Sequence, residues 1–330
     1  MKKFEYAQPK SIDEVFQYLE DPDSVIKSGG IDLLDLMKED LIAPKRLVNI
    51  RSINQLSFVR ENEDGTISIG PNVTLSELAD NEIITKYFPA LREAARLIAT
   101  PQIRNAATIG GNLCQRSRCW YFRSIDFDCS RKGGSHCYAL FGENKYHAVL
   151  GAKSGCAIVQ PSGTAVALMS LNAVLVISNG KNEKQLDLNE FYVEPAQDIT
   201  KETILENNEL IIEIIIPKEM RNYKNRYIKL KEKQSYDWPL ADVAVALKMN
   251  GIKCEEANVI LGSAAPIPWK SKEAEFELKG NRITKELARK AGEASMEEAF
   301  PLAENKYKIR LFKIVVYRAI CEAIGINPYT

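Results

Sequence analysis

Five cysteines, Cys114, Cys119, Cys129, Cys137 and Cys156, fall in one segment of this 330-residue chain, together with its two histidines, His136 and His147. Thiolates bind soft metals and iron-sulfur clusters. From Cys119 onward the spacing is C-x9-C-x7-C-x18-C. It contains no CxxC pair, the usual half-site of structural zinc, and no CxxCxxC run of the small-ferredoxin kind. Four thiolates on separate loops still suit a 4Fe-4S cluster, which is larger than one ion and takes ligands from dispersed directions. Residue chemistry therefore leaves open a cluster, a zinc site and unliganded thiols, and each histidine also reads as a partly exposed loop residue. Cys254 and Cys321 read as reduced thiols filling gaps. Arg116, Arg118, Arg123, Arg131 and Lys132 lie among the five cysteines. They either solvate a long loop or offset thiolate charge and dock an acidic electron carrier.

Just before the cysteines lies Thr108-Ile109-Gly110-Gly111-Asn112, and far upstream lies Ser28-Gly29-Gly30. Glycines let consecutive backbone N–H groups converge, and a helix N-terminus adds partial positive charge, so each stretch suits an anion. One glycine pair is commonly only turn geometry, and neither has the Rossmann spacing. Two in one domain offer separate donors for the pyrophosphate and the polar sugar atoms of a dinucleotide. No nucleophile or acid–base pair suited to an organic substrate stands out.

The elements that must position these residues read as follows. A strand at Phe4 and Tyr6 precedes a helix opened by Ser11 and Glu14 that buries Val15, Phe16 and Leu19. Val25 and Ile26 form a buried strand, Asp32 to Lys38 a helix and Arg46 to Ile50 another strand. A hairpin turns at Asp64-Gly65, a helix starts at Thr74 or Ser76, and another spans Ala90 to Ile98. Beyond the cysteines, Ala165 to Leu171 is helical, Ala173 to Ile177 pairs with Gln185 to Leu188, and Leu210 to Ile216 is a strongly apolar strand. Pro217 to Asn225 is a charged connector. A strand through YIKLKEKQSYDWP then leads into a hairpin turning at Asn250-Gly251, followed by helices at Lys272 to Leu278, Lys285 to Glu298 and Tyr307 to Ala323. The fold class expected is α+β, with two or three subdomains sharing buried surface.

Forty-four basic residues balance forty-four acidic ones, so net charge points to neither nucleic acid nor an anionic membrane. No run of about twenty apolar residues suggests a membrane span, and MKKFEYAQPK does not read as a signal peptide. The expected compartment is the reducing cytoplasm.

Taken together, the motifs resemble the FAD-binding medium subunit of the molybdenum hydroxylases, the xanthine dehydrogenase and carbon monoxide dehydrogenase family. SGGIDLL is similar to that family's AGGTDLL, NAATIGGN to its second flavin loop and KLKEKQSYDWPLADVAVAL to its following domain, and VILGSAAPIPW and NKYKIRLFKIVVYRAI complete the likeness. The resemblance implies a two-part α/β FAD-binding domain of PCMH type over residues 1–217 (1–52 and 53–217), followed by a C-terminal antiparallel sheet with helices over 222–330. It implies that Lys27, Ser28, Gly29, Gly30, Ile31, Asp32, Leu33 and Leu34 wrap the pyrophosphate. Thr108, Ile109, Gly110, Gly111 and Asn112 would form the second loop, and Lys231, or else Lys229, would approach the isoalloxazine. Where the family has Ser-Asp, this chain has Ser162-Gly163-Thr164, so Thr164 or water must replace a carboxylate.

The insertion over 115–158 resembles that of the 4-hydroxybenzoyl-CoA reductase medium subunit, which holds an extra 4Fe-4S cluster. This implies Cys119, Cys129, Cys137 and Cys156 as ligands and Cys114 as an unliganded extra. The implied partners are a molybdopterin-binding large subunit, a 2Fe-2S small subunit and a ferredoxin, flavodoxin or NAD(H) as external carrier.

Overall fold

The computed structural model describes residues 1–152, 155–233 and 235–329. The N-terminal sheet contains β1 (Glu5–Ala7), β2 (Ser24–Lys27) and β3 (Arg46–Asn49) in the order β1-β3-β2, and both strand pairs are parallel. Parallel neighbours need crossovers, and helices Ile12–Leu19 and Ile31–Lys38 provide them. Ser11 caps the first by accepting from Glu14 N at 3.2 Å, but the Glu14 carboxylate takes Lys10 N, so the expected capping box is half formed. β2, expected to be buried, is mostly half-buried, because it lines a cleft.

The second sheet contains β4 (Val59–Glu61), β5 (Ile67–Ile69), β6 (Val174–Ser178), β7 (Glu183–Asp187) and β8 (Leu210–Ile216), all antiparallel in the order β4-β5-β8-β6-β7. Ile67, Ile69, Leu175, Ile177, Ile214 and Ile216 face a core with helices Pro89–Arg96 and Gly163–Ser170. The latter is buried along its whole length, because the third sheet packs on it as well. Helix Leu75–Asp80 starts at Thr74 with a complete capping box: Thr74 Oγ1 accepts from Glu77 N at 3.1 Å, and the Glu77 carboxylate accepts from Thr74 N at 2.8 Å.

The third sheet contains β9 (Lys224–Lys231), β10 (Pro239–Asn250), β11 (Lys253–Gly262) and β12 (Trp269–Lys270), in the order β12-β11-β10-β9. Alternation along β10 serves two cores: Ala244 and Ala246 join the core of the second sheet, while Val243, Val245 and Leu247 meet Phe312, Val315 and Val316 of helix Tyr307–Ala323. Three sequence expectations shift here. The strand through YIKLKEKQSYDWP breaks between Lys231 and Pro239, with Gln234 outside the described residues. The hairpin loop is Gly251-Ile252, one residue later than expected, because the register slips between Lys248 and Met249 and skips Glu255. Gly251, at φ 59°, then takes the first central position of a tight turn. The helix expected to reach Glu298 ends at Ala294. Among the described residues no helix is long and apolar enough to cross a membrane.

Lys308 lies on the apolar face of the last helix and is fully buried. Its ammonium donates to the carbonyls of Ser263 at 2.7 Å, His147 at 3.0 Å and Tyr146 at 3.3 Å. Burial pushes its pKa down to about 7, against a favourable contribution from Asp242. The unfolded chain therefore binds one more proton than the folded one between about pH 7 and the ordinary lysine value of about 10.4, and the burial cost fades as pH rises through that window. The difference in unfolding free energy between wild type and Lys308→Met should grow in favour of wild type from pH 7 to 10, read by urea denaturation. A pH-independent difference would show that the three carbonyls offset the cost of burial and leave the Lys308 titration unshifted.

Candidate functional site

The two glycine loops meet at the floor of one cleft. Gly30, at φ 76°, opens helix Ile31–Lys38 without a side-chain cap, so the first-turn N–H groups have no intrahelical acceptor. Gly29 is pressed on the other loop: a Cβ there would lie 2.2 Å from the carbonyl oxygen of Ala106. Hydrogen bonds join the loops beside this contact. Thr108 Oγ1 donates to Ser28 Oγ at 3.0 Å, Ser28 Oγ donates to Asn72 Oδ1 at 2.7 Å, and Asn72 Nδ2 donates to the Ile50 carbonyl at 2.6 Å.

The second loop is a short helix, Ile109–Leu113, rather than a glycine turn. Thr108 caps it by accepting from Gly111 N at 3.3 Å. Gly110 is a packing residue, since its N–H bonds the Pro71 carbonyl and a Cβ would meet Pro71 at 2.7 Å.

Lys27 to Leu33, Thr108, Gly111 and Asn112 line the cleft, whereas Leu34, Ile109, Gly110 and Thr164 stand behind it. Thr164 holds Asn112 in place: Asn112 Oδ1 accepts from Thr164 Oγ1 at 2.6 Å and from Ser162 Oγ at 2.8 Å. The cleft takes Lys229, not Lys231. Lys229 donates to the Leu97 carbonyl at 3.0 Å, and burial pushes its pKa down to about 8. Lys231 is at the end of β9 and bonds the Ser235 carbonyl. Sequence reasoning missed Tyr227 and Trp238, which also line the cleft. Tyr227 has a legible signal, two positions before Lys229 on the same strand face, and its hydroxyl donates to the buried Asp242 carboxylate at 2.9 Å. The cleft encloses about 2620 Å³ of empty space including its mouth. Its size, its uncapped helix start and its close-pressed glycines fit an elongated ligand with a phosphate group, as FAD is.

Cys119, Cys129, Cys137 and Cys156 line one small cavity, with about 270 Å³ of empty space including its mouth. Each of the first three directly precedes a short helical turn: Trp120–Arg123, Ser130–Lys132 and Tyr138–Leu140. Cys114 is elsewhere, packed on the core of the second sheet, where burial raises its pKa to about 12. Cys137 and Cys156 are hydrogen-bonded; the bond, together with the Arg131 guanidinium, favours the thiolate of Cys156, while burial raises Cys119 to about 11. His147 Nε2 lies 3.2 Å from Cys119 Sγ, and burial pushes this histidine down to about 4, which makes it neutral. Nε and Nη2 of the buried Arg131 have no partner among the described residues. These orphaned donors beside four thiols fit an anionic group in the cavity. Among the described residues no three His, Cys, Asp or Glu side chains are arranged to hold a metal ion. Cys254 and Cys321 are buried in the third sheet's core, as expected of gap-filling thiols.

The arginines of the insertion form no outward docking surface. Arg123 Nη2 meets Asp32 Oδ1 at 2.6 Å and Arg118 Nη2 meets it at 3.0 Å, while Arg116 N donates to Asp32 Oδ2 at 2.8 Å. Arg116 and Arg131 both pair with Glu202, at 2.8 and 3.2 Å, and Lys132 bonds the Ser124 carbonyl. Opposite charges on Asp32, Asp35 and Glu202 draw these side chains inward and tie the thiol loop to the first glycine loop; the carboxylate of Asp32, expected at the pyrophosphate, is engaged by the insertion.

A cleft floored by two glycine loops and followed by an antiparallel sheet with helices defines a flavin-binding subunit. The family model for the FAD binding domain in molybdopterin dehydrogenase matches residues 2–219, and that for the CO dehydrogenase flavoprotein C-terminal domain matches residues 226–323. The chain belongs to this family of FAD-binding oxidoreductase subunits. It is 32% identical to the aldehyde oxidoreductase FAD-binding subunit PaoB of Escherichia coli K12, over 92% of each chain. It is 28% identical to the carbon monoxide dehydrogenase medium chain of Hydrogenophaga pseudoflava, over 96% of each. A solved carbon monoxide dehydrogenase structure from Hydrogenophaga pseudoflava superposes with a TM-score of 0.77 at 26% identity, covering 98% of both chains.

Gly29→Ala should force the loops apart and weaken FAD retention by at least about tenfold, or about 1.4 kcal/mol, measured as flavin per chain after gel filtration. Unchanged flavin content would show that the contact between the loops is dispensable for binding.

Proposed function

We propose that this chain is an FAD- and 4Fe-4S-containing electron-transfer subunit of a molybdenum hydroxylase-type complex, similar to the 4-hydroxybenzoyl-CoA reductase medium subunit. The observation that carries the reading is the convergence of Cys119, Cys129, Cys137 and Cys156 on one cavity, in an insertion tied by Asp32 to the flavin cleft. When bound, FAD converts between one-electron and two-electron steps and a 4Fe-4S cluster carries single electrons.

In this reading the chain supplies binding, orientation and charge. Residues 1–217 form the flavin domain in its two parts, 222–330 the C-terminal domain and 115–158 the cluster loop. Lys27 to Leu33, Thr108, Gly111 and Asn112 hold the pyrophosphate and ribityl, with Leu34, Ile109 and Gly110 packed behind them and Asn112 positioned by Thr164. Lys229, rather than Lys231, stands at the isoalloxazine. The Arg131 guanidinium offsets thiolate charge, and the thiols need a reducing compartment, the cytoplasm. Electrons pass between partner subunits carrying molybdopterin and 2Fe-2S and an external carrier of the ferredoxin, flavodoxin or NAD(H) kind.

Anaerobically purified complex should contain about four irons per copy of this chain in addition to those of its partners. Cys129→Ser should lose most of them and keep most of its flavin, because the glycine loops hold FAD independently of the thiols. Zinc in place of iron, or iron unchanged in the variant, would sink the ligand assignment.

A further inference from the structure

One side chain that lines the thiol cavity has no part in the ligand assignment. His147 is buried there, with Nε2 3.2 Å from Cys119 Sγ. It is fixed from several sides. Its backbone N–H donates to the Asn144 carbonyl at 3.0 Å, and its own carbonyl accepts from Lys308 Nζ at 3.0 Å and from Asn305 Nδ2 at 3.2 Å. The Trp120 ring, next to Cys119 in the chain, stands edge-on to the imidazole at 4.9 Å between ring centroids, and the Tyr121 ring lies at 6.3 Å. Residues of the insertion and of the C-terminal region thus hold the imidazole beside this one sulfur.

While Cys119 keeps its proton, the contact can run as S–H to nitrogen or as N–H to sulfur. A thiolate has no proton to donate. Once Cys119 ligates a cluster, the only hydrogen bond this geometry allows is from Nε2–H to Sγ. The other ring nitrogen does not claim the proton: Nδ1 is buried without a hydrogen-bond partner among the described residues, and the nearby Asn144 carbonyl accepts from His147 N. The ring's proton therefore belongs on Nε2, where it has an acceptor.

We infer that His147 is a positioning residue for the cluster, a hydrogen-bond donor to the Cys119 sulfur that raises the cluster's reduction potential. The inference rests on the cluster reading of the thiols. Reduction by one electron adds negative charge, part of which falls on the ligand sulfurs. An N–H aimed at Sγ stabilises the reduced form more than the oxidised one, so His147 favours electron uptake without giving up its proton. Its role differs from that of Arg131, which brings a full positive charge to Cys156.

The test is an anaerobic redox titration of the whole complex, in which electron paramagnetic resonance follows the 4Fe-4S signal apart from the partners' 2Fe-2S signals and iron per chain is measured alongside. His147→Phe keeps an aromatic ring and loses the N–H. Its iron content should match wild type, while the reduced-to-oxidised ratio at a fixed potential falls about tenfold, a shift of about 59 mV to more negative values for one electron. His147→Gln, whose amide N–H reaches about as far as Nε2, should restore most of that shift. A packing role predicts the reverse order, because phenylalanine replaces the ring better than glutamine does. His147→Leu takes the place of the phenylalanine variant if the larger ring prevents assembly. Potentials equal to wild type in every variant, a glutamine variant as low as the phenylalanine or leucine one, or iron lost from the glutamine variant would each overturn the inference. Iron absent from the wild-type complex would defeat the cluster reading and this inference with it, whereas a changed potential with iron intact concerns His147 alone.

Discussion

The flavin cleft depends on one close approach that admits no side chain, Gly29 against the Ala106 carbonyl. The parallel N-terminal sheet and the antiparallel second sheet share no strand; a small core of Val15, Leu19, Val48 and Ile50 packs on Leu210 of β8, and the Gly29 contact with the hydrogen bonds beside it fixes their approach at the cleft. The chain of bonds is continuous. Thr108, which donates to Ser28, is bridged to Thr74, whose capping box fixes the start of helix Leu75–Asp80. Each bond contributes only about 1 kcal/mol net. Their combined effect is geometric, because any shift of one loop would orphan donors on the other. Glycine is required here for closeness, and at Gly30 for its positive φ.

The same loop carries Asp32, which faces the insertion. Its carboxylate takes two guanidinium groups and a backbone N–H, in a partly buried setting where removing one partner leaves an uncompensated charge. On the far side of the insertion, Lys308 and Asn305 of the C-terminal region bond the carbonyls of His147. The thiol loop is thus held at both ends, to the flavin loop and to the C-terminal helix. A redox group bound among its thiols would keep a fixed separation from one bound in the cleft. In sequence the arginine cluster left open solvation of a long loop and an outward docking surface; the acidic partners that turn it inward lie more than seventy positions away, beyond the reach of local pattern.

What the sequence made legible follows the same division. Elements specified by local rules were readable: the alternation of β10, the caps at Ser11 and Thr74, the glycine at Gly30. Features set by tertiary contact were not. TIGGN looks like a glycine turn, yet Gly110 is there because Pro71 lies against it, and the backbone is helical. Lys229 and Lys231 lie on the same face of β9, and the irregular pairing at Pro239, with the Ser235 carbonyl taking the Lys231 ammonium, leaves only Lys229 in the cleft. Lys308 was legible in principle as a lysine on an apolar helix face, but its carbonyl partners belong to the insertion and to the end of β11.

The absence of a CxxC pair, which in sequence counted against structural zinc, has a structural counterpart. Cys119, Cys129 and Cys137 each stand at the residue before a short helical turn, so each brings its own turn instead of sharing one. Ligands that each carry a turn must be spaced by at least the length of that turn and its return. The turn also supplies a reason for this arrangement: N–H groups at the start of a helical turn favour negative charge. Those of Tyr121 and Phe122 oppose the desolvation that raises Cys119, and that of Ala139 acts the same way on Cys137. With Arg131 beside Cys156, the cavity offers compensation for several thiolates without a close cysteine pair. Dispersed spacing and a buried, charge-compensated thiol site are therefore compatible, because the backbone supplies locally what a CxxC knuckle supplies for two cysteines at once.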